Sequence, residues 1–221
     1  VSFLDDLKRQ AEALQNRQQN DAASFERNAQ LVESACRTVF QYWLDLAQQL
    51  NVLAPASPGR HVLDSRHVFS ALPMHDFRVD ARRQPLRGLE VHEHITLSCR
   101  IGDGRDLVLK KDMPPEIEKL EARLRLAGIK HSPESVREPG SGRYLHTRYE
   151  FKLDFLAFAR LLPQHERGTL RIQVDNFDGF EGLVLELPAI ELNRAVLDEL
   201  AKLLLGQPNR FVQCGRLVGR R

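Results

Sequence analysis

Past residue 60 the apolar residues stop recurring at helical spacing and begin to alternate strictly, over stretches longer than most strands need. From Leu89 to Ile101 the odd positions are Leu89, Val91, Glu93, Ile95, Leu97, Cys99 and Ile101, against Glu90, His92, His94, Thr96, Ser98 and Arg100. Successive strand side chains point to opposite faces, so this period gives one core face and one polar face. Phe77, Val79 and Ala81 alternate in the same way with Asp76, Arg78, Asp80 and Arg82. The pattern returns from Leu145 to Phe155 and again in Leu170, Ile172 and Val174. Strands covered on both sides of a parallel sheet would read as continuous apolar runs instead. The alternation therefore predicts an antiparallel sheet with one solvated face and helices on the other.

The first fifty residues obey a different period. Leu4, Leu7, Ala11 and Leu14 make a narrow stripe at three- and four-residue spacing, and Phe25, Ala29, Val32, Cys36, Val39, Phe40, Trp43, Leu46, Ala47 and Leu50 make a broader one. Both are helical stripes. The polar run from Gln15 to Asp21 separates them, and Asn20 or Asp21 offers an N-cap for a second helix. An N-terminal helical hairpin and one long helix both satisfy the pattern. Pro55, Pro58 and Gly59 end the helical region.

The expected organisation is thus an N-terminal helical arm over residues 1–53, an antiparallel α+β domain over 60–206 and a basic C-terminal tail over 207–221. Helices are expected from Pro115 to Ala127 and from Ile190 to Leu205, stopped by Gly128 and Gly206. Gly102-Asp103-Gly104 and the run from Asp175 to Gly179 have hairpin chemistry, glycine supplying positive φ. Lys130 to Gly142 reads as a solvated loop. The order strand, strand, strand, helix occurs twice, over 66–128 and 142–206, as an internal duplication would give.

Composition narrows the function classes. With 32 basic and 30 acidic residues, no global field favours nucleic acid or an anionic membrane. Arg210, Arg216, Arg220 and Arg221 add only a local basic cluster. Three widely separated cysteines, Cys36, Cys99 and Cys214, fit a reducing compartment. There is neither a membrane-length apolar run nor a basic segment followed by an apolar one at the start, so a cytoplasmic location is expected.

No sequence pattern marks catalysis: GxxxxGK[ST], GxGxxG and GxSxG are all missing, and Cys99 falls on the core phase of its strand. Whether the chain is an enzyme is left open. His92 and His94 share the polar phase beside Glu90, but spacing fixes no third ligand, so no metal or cofactor is assigned. Arg78, Arg148 and Arg171 lie on the same polar phase and complete a candidate ligand-binding set with the two histidines, cross-strand charge pairing being the plainer reading. Leu4, Leu7, Ala11 and Leu14 form a candidate interaction seam of a width that suits a helix partner.

These observations favour a non-catalytic binding or interaction module that self-associates or docks a protein through its N-terminal helix. Two other readings stand beside it. A sheet closed by the Leu192–Leu205 segment would enclose an apolar ligand in a helix-grip-like cavity, and an enzyme would place its site on the polar sheet face.

Overall fold

A computed structural model describes residues 3–220. Arg221 of the basic cluster and the first two residues lie outside that range.

Helix α1 spans Phe3–Leu53, 51 residues in one piece. No glycine or proline interrupts it, and the polar run from Gln15 to Asp21 continues the helix instead of capping a second one. Ala54 closes it with φ of 43°, its N–H bonded to the Leu50 carbonyl, and Pro55 follows. One face from Phe25 to Leu50 is buried, through Ala29, Val32, Cys36, Val39, Trp43 and Ala47. Residues 3–24 are exposed on every side.

Beyond α1, β1 (Arg60–Val62) and β2 (Val68–Ser70) form a small hairpin. The main sheet follows: β3 (Met74–Leu86), β4 (Leu89–Lys111), β5 (Ser132–Arg137), β6 (Tyr144–Gln164), β7 (Thr169–Asp175), β8 (Gly182–Pro188) and β9 (Arg216–Arg220). All seven strands pair antiparallel in the order β3-β4-β6-β7-β8-β9, with β5 also lying against β6. Helix α2 (Pro114–Leu126) and helix α3 (Arg194–Leu204) complete the fold. The Asn193 side chain accepts from Val196 N–H at the start of α3, while Ala189–Glu191 forms a separate 3-10 turn.

The apolar phases converge as the alternation predicts. Ile95, Leu97, Cys99 and Ile101 of β4 join Tyr149, Phe151, Leu153 and Phe155 of β6 in one core with Val39 and Trp43 of α1. Leu120 and Leu124 of α2 and Leu197, Leu200 and Leu204 of α3 enter the same core.

Several segments depart from the sequence expectation. Gly102 to Gly104 is not a hairpin: it is a bulge inside β4, where the pairing to β6 slips between Gly102 and Asp106. Gly102 takes φ of 148° there. Glycine's tolerance of positive φ serves bulges as well as turns. The two strands expected on either side of that turn are therefore one strand, and a duplication is not shown. The Asp175–Gly179 run does turn between β7 and β8, with Asn176 and Gly179 at positive φ. The 130–142 segment contains β5, and the expected basic tail contains β9 and a buried Phe211. Both are edge strands with little burial, so alternation cannot reveal them.

Candidate functional site

Where the middle of α1 crosses the β3–β4 end of the sheet, the apolar packing is broken by a cluster of ionisable groups. Glu33 lies on the sheet-facing side of α1, one helical turn before Cys36. Its Oε1 accepts from the His92 backbone N–H at 2.8 Å and from His165 Nε2 at 2.9 Å. Its Oε2 accepts from His92 Nδ1 at 2.8 Å and lies 3.6 Å from the Arg83 guanidinium. Little solvent reaches the cluster: the side chains of Glu33, His92 and His165 are 13 %, 11 % and 2 % exposed.

A β-bulge builds this arrangement. Arg82 pairs with His94 but Arg83 with His92, so Glu93 is the extra residue in β4. The inserted residue breaks the strict alternation, so that Val91 and His92 are both buried. His92 therefore turns to α1, while His94 stays on the polar face, where its Nδ1 is 3.9 Å from Glu93. The two histidines that share a phase in the sequence are separated in the fold. His165 comes from the turn just after β6 and Arg83 from β3.

The electrostatics follow from the contacts. Burial pushes the Glu33 carboxyl pKa up, but the bonds from the His92 N–H, the His165 ring and the His92 ring outweigh it and hold the group below its ordinary value. Glu33 is thus a carboxylate, and both facing ring nitrogens carry protons. Burial, with Glu33 close by, pushes the Cys36 thiol up to about 12. Donor atoms of Glu33, Cys36 and His92 all lie within 4.8 Å of one another.

The remaining predicted site residues fall elsewhere. Arg171 lies opposite Glu186 and bonds it at 2.6 Å, and Arg216 bonds the other oxygen of Glu186 at 2.5 Å. Arg148 pairs with Glu150 at 2.9 Å and Glu134 at 3.4 Å, and Arg100 pairs with Asp154 at 2.6 Å. Arg78 lines a cleft beside Asn51 and Met74. The polar face is therefore largely occupied by its own charge pairs, and it does not gather Arg78, His92, His94, Arg148 and Arg171 into one place.

The chain matches no family model, no curated protein and no solved structure. What it does must therefore be argued from its own geometry.

Glu33, Cys36 and His165 were not singled out as site residues by sequence. The available signal was a carboxylate set beside Val32 and Cys36 in the apolar stripe of α1. In the N-terminal seam, Leu7 is 45 % and Leu14 58 % exposed on one continuous helix.

Proposed function

We propose that this chain is a non-catalytic interaction protein that self-associates through the projecting N-terminal part of α1. The observation that carries the reading is a fully exposed helical segment, residues 3–24, with an apolar seam at heptad spacing. Helices in proteins draw most of their stability from packing an amphipathic face, and this segment packs none within the chain. Burying Leu7, Ala11 and Leu14 against a partner helix supplies what the rest of the fold does not.

A second copy is the partner best suited to that seam. Lys8, Gln10, Gln15 and Arg17 flank it, while Asp5, Asp6 and Glu12 lie on the outer face. In a parallel pair the residue that follows one seam position sits beside its counterpart five residues away, which sets Gln10 against Gln15 of the other copy. No like charges then face each other. Gln18 and Asp21 at the next seam positions end the apolar contact after two heptads.

The apolar-carrier reading has less in its favour. Trp43, Tyr149, Phe155 and Phe211 fill the space between helices and sheet, and the cleft lined by Val174, Phe177, Leu183, Leu203 and Val212 beside α3 measures about 200 Å³, below the usual size of a ligand pocket.

Sedimentation equilibrium of the full chain and of a form lacking residues 1–20 tests the proposal. The full chain is expected to exceed its monomer mass in a concentration-dependent way and the truncated form to be monomeric with unchanged thermal stability. Equal masses would sink it.

A further inference from the structure

The Glu33 cluster has no role in that proposal, and its composition points to a separate chemistry. A carboxylate oxygen, a thiol sulfur and an imidazole nitrogen are brought within 4.8 Å of one another by residues from two different elements. Cys36 is fully buried and His92 nearly so. We propose that Glu33, Cys36 and His92 bind a zinc-class divalent transition-metal ion, with His165 orienting the carboxylate.

The donor types suit such an ion. Zinc-like metals take sulfur, imidazole and carboxylate ligands in tetrahedral sites, whereas calcium and magnesium require all-oxygen shells. Tetrahedral bonds of about 2.0–2.3 Å set neighbouring donors roughly 3.3–3.6 Å apart. Closing around an ion therefore asks for displacements of about 1 Å or less. The 2.8 Å contact between Glu33 and His92 opens, the Nδ1 proton passes to solvent while Nε2 takes one up, and the ring, still neutral, turns its bare Nδ1 to the ion. Both elements that supply the ligands are held by the core.

Charge balances as well. Binding breaks the Cys36 S–H bond, forms a sulfur–metal bond and releases the proton to solvent. A divalent ion is then neutralised by one carboxylate and one thiolate, with His92 neutral.

Support around the ligands is in place too. His165 Nε2 donates to Glu33 Oε1 at 2.9 Å, and it is the more deeply buried partner of that pair. Such outer partners fix the geometry of a metal-binding group and strengthen it as a ligand. An open cleft of about 340 Å³, lined by Gln30, Glu33, Arg37, Arg83 and Val91, brings solvent to the Glu33 side of the cluster.

Cobalt(II) provides the test, because a cobalt–thiolate bond has its own near-ultraviolet charge-transfer band. The intact chain, stripped with a chelator, is titrated with cobalt(II). One ion per chain is expected, with a thiolate band that persists when Cys99→Ala and Cys214→Ala are combined. The band should vanish in Cys36→Ala, and His165→Ala should weaken affinity about 10–100-fold. Absence of saturable binding, or a thiolate band that survives Cys36→Ala, overturns the proposal. If Cys36→Ala does not fold, X-ray absorption of the zinc-loaded native chain decides: one sulfur in the first shell supports the site, and a shell of nitrogen and oxygen alone rejects it.

Discussion

His165 Nε2 lies 2.9 Å from Glu33 Oε1 and joins the turn after β6 to the middle of α1, although the two residues are 132 positions apart in the chain. Together with the two bonds from His92, and with the Asn51 side chain bonded to both backbone groups of Phe77, this contact fixes where α1 lies along the sheet. Apolar packing alone would tolerate sliding; a carboxylate with three matched donors does not.

Removing that acceptor leaves buried donors without a partner. Glu33→Ala, compared with the native chain in the presence of chelator, is expected to lose about 2–3 kcal/mol in urea unfolding at neutral pH. A loss below about 0.5 kcal/mol would show that the histidines find other acceptors.

Trp43 makes a contrasting prediction. It is the single tryptophan, it is fully buried, and its Nε1 finds no acceptor among the described residues. Trp43→Phe removes the orphaned N–H together with some volume and should cost under about 2 kcal/mol, whereas Trp43→Ala should cost about 3–5 kcal/mol. Equal losses in chemical denaturation would mean that side-chain volume does not set the cost at this position.

Asp64 sets an acid limit on stability. Burial tends to raise its carboxyl pKa, but the Lys111 ammonium at 2.9 Å and the N–H groups of Arg66 and His67 hold it well below the usual carboxylate range. A group whose native pKa is depressed contributes stability above its unfolded value and loses it as pH falls toward the native one. Native chain should therefore exceed Asp64→Asn by about 2 kcal/mol at pH 7, the gap narrowing as pH drops below about 4. Urea midpoints across that range provide the check, and a gap independent of pH would contradict the assignment.

At Gly102 the constraint is steric. A Cβ there would fall within the Leu153 carbonyl and the Asp154 backbone, whereas one at Gly104 would meet nothing within 4 Å. Gly102→Ala should thus cost about 3 kcal/mol or more, and Gly104→Ala about 1 kcal/mol for its positive φ alone. Thermal denaturation of the two variants ranks them, and similar melting temperatures would refute the close approach.

Much of the fold was legible because burial writes a period into the sequence. Leu97 and Cys99, or Phe151 and Leu153, take the faces their alternation assigns. Continuity of α1 was readable only as one of two options, since Asn20 and Asp21 are acceptable both as caps and as exposed helical residues. β5 and β9 were hidden because edge strands bury too little to need a pattern. The site was harder still. Alternation puts His92 on the solvated face, and only the pairing with β3 reveals that Glu93 is an added residue that turns His92 to the helix. Glu33 and His165 meet through tertiary packing, which no local period encodes.

The unbroken course of α1 makes the arm a rigid lever with a fixed phase. Between Leu4 and Phe25 the helix rises about 30 Å, and each residue turns it by about 100°. Inserting a single residue near Gln18 would leave every buried contact intact and yet swing the seam of Leu7 and Leu14 to a different compass bearing relative to the sheet. Four inserted residues would nearly restore the bearing and move the seam outward by about 6 Å. In an assembly joined at the seam, the spacing and relative orientation of the two sheets would thus be set by the number of residues in a stretch of helix that buries none of its side chains.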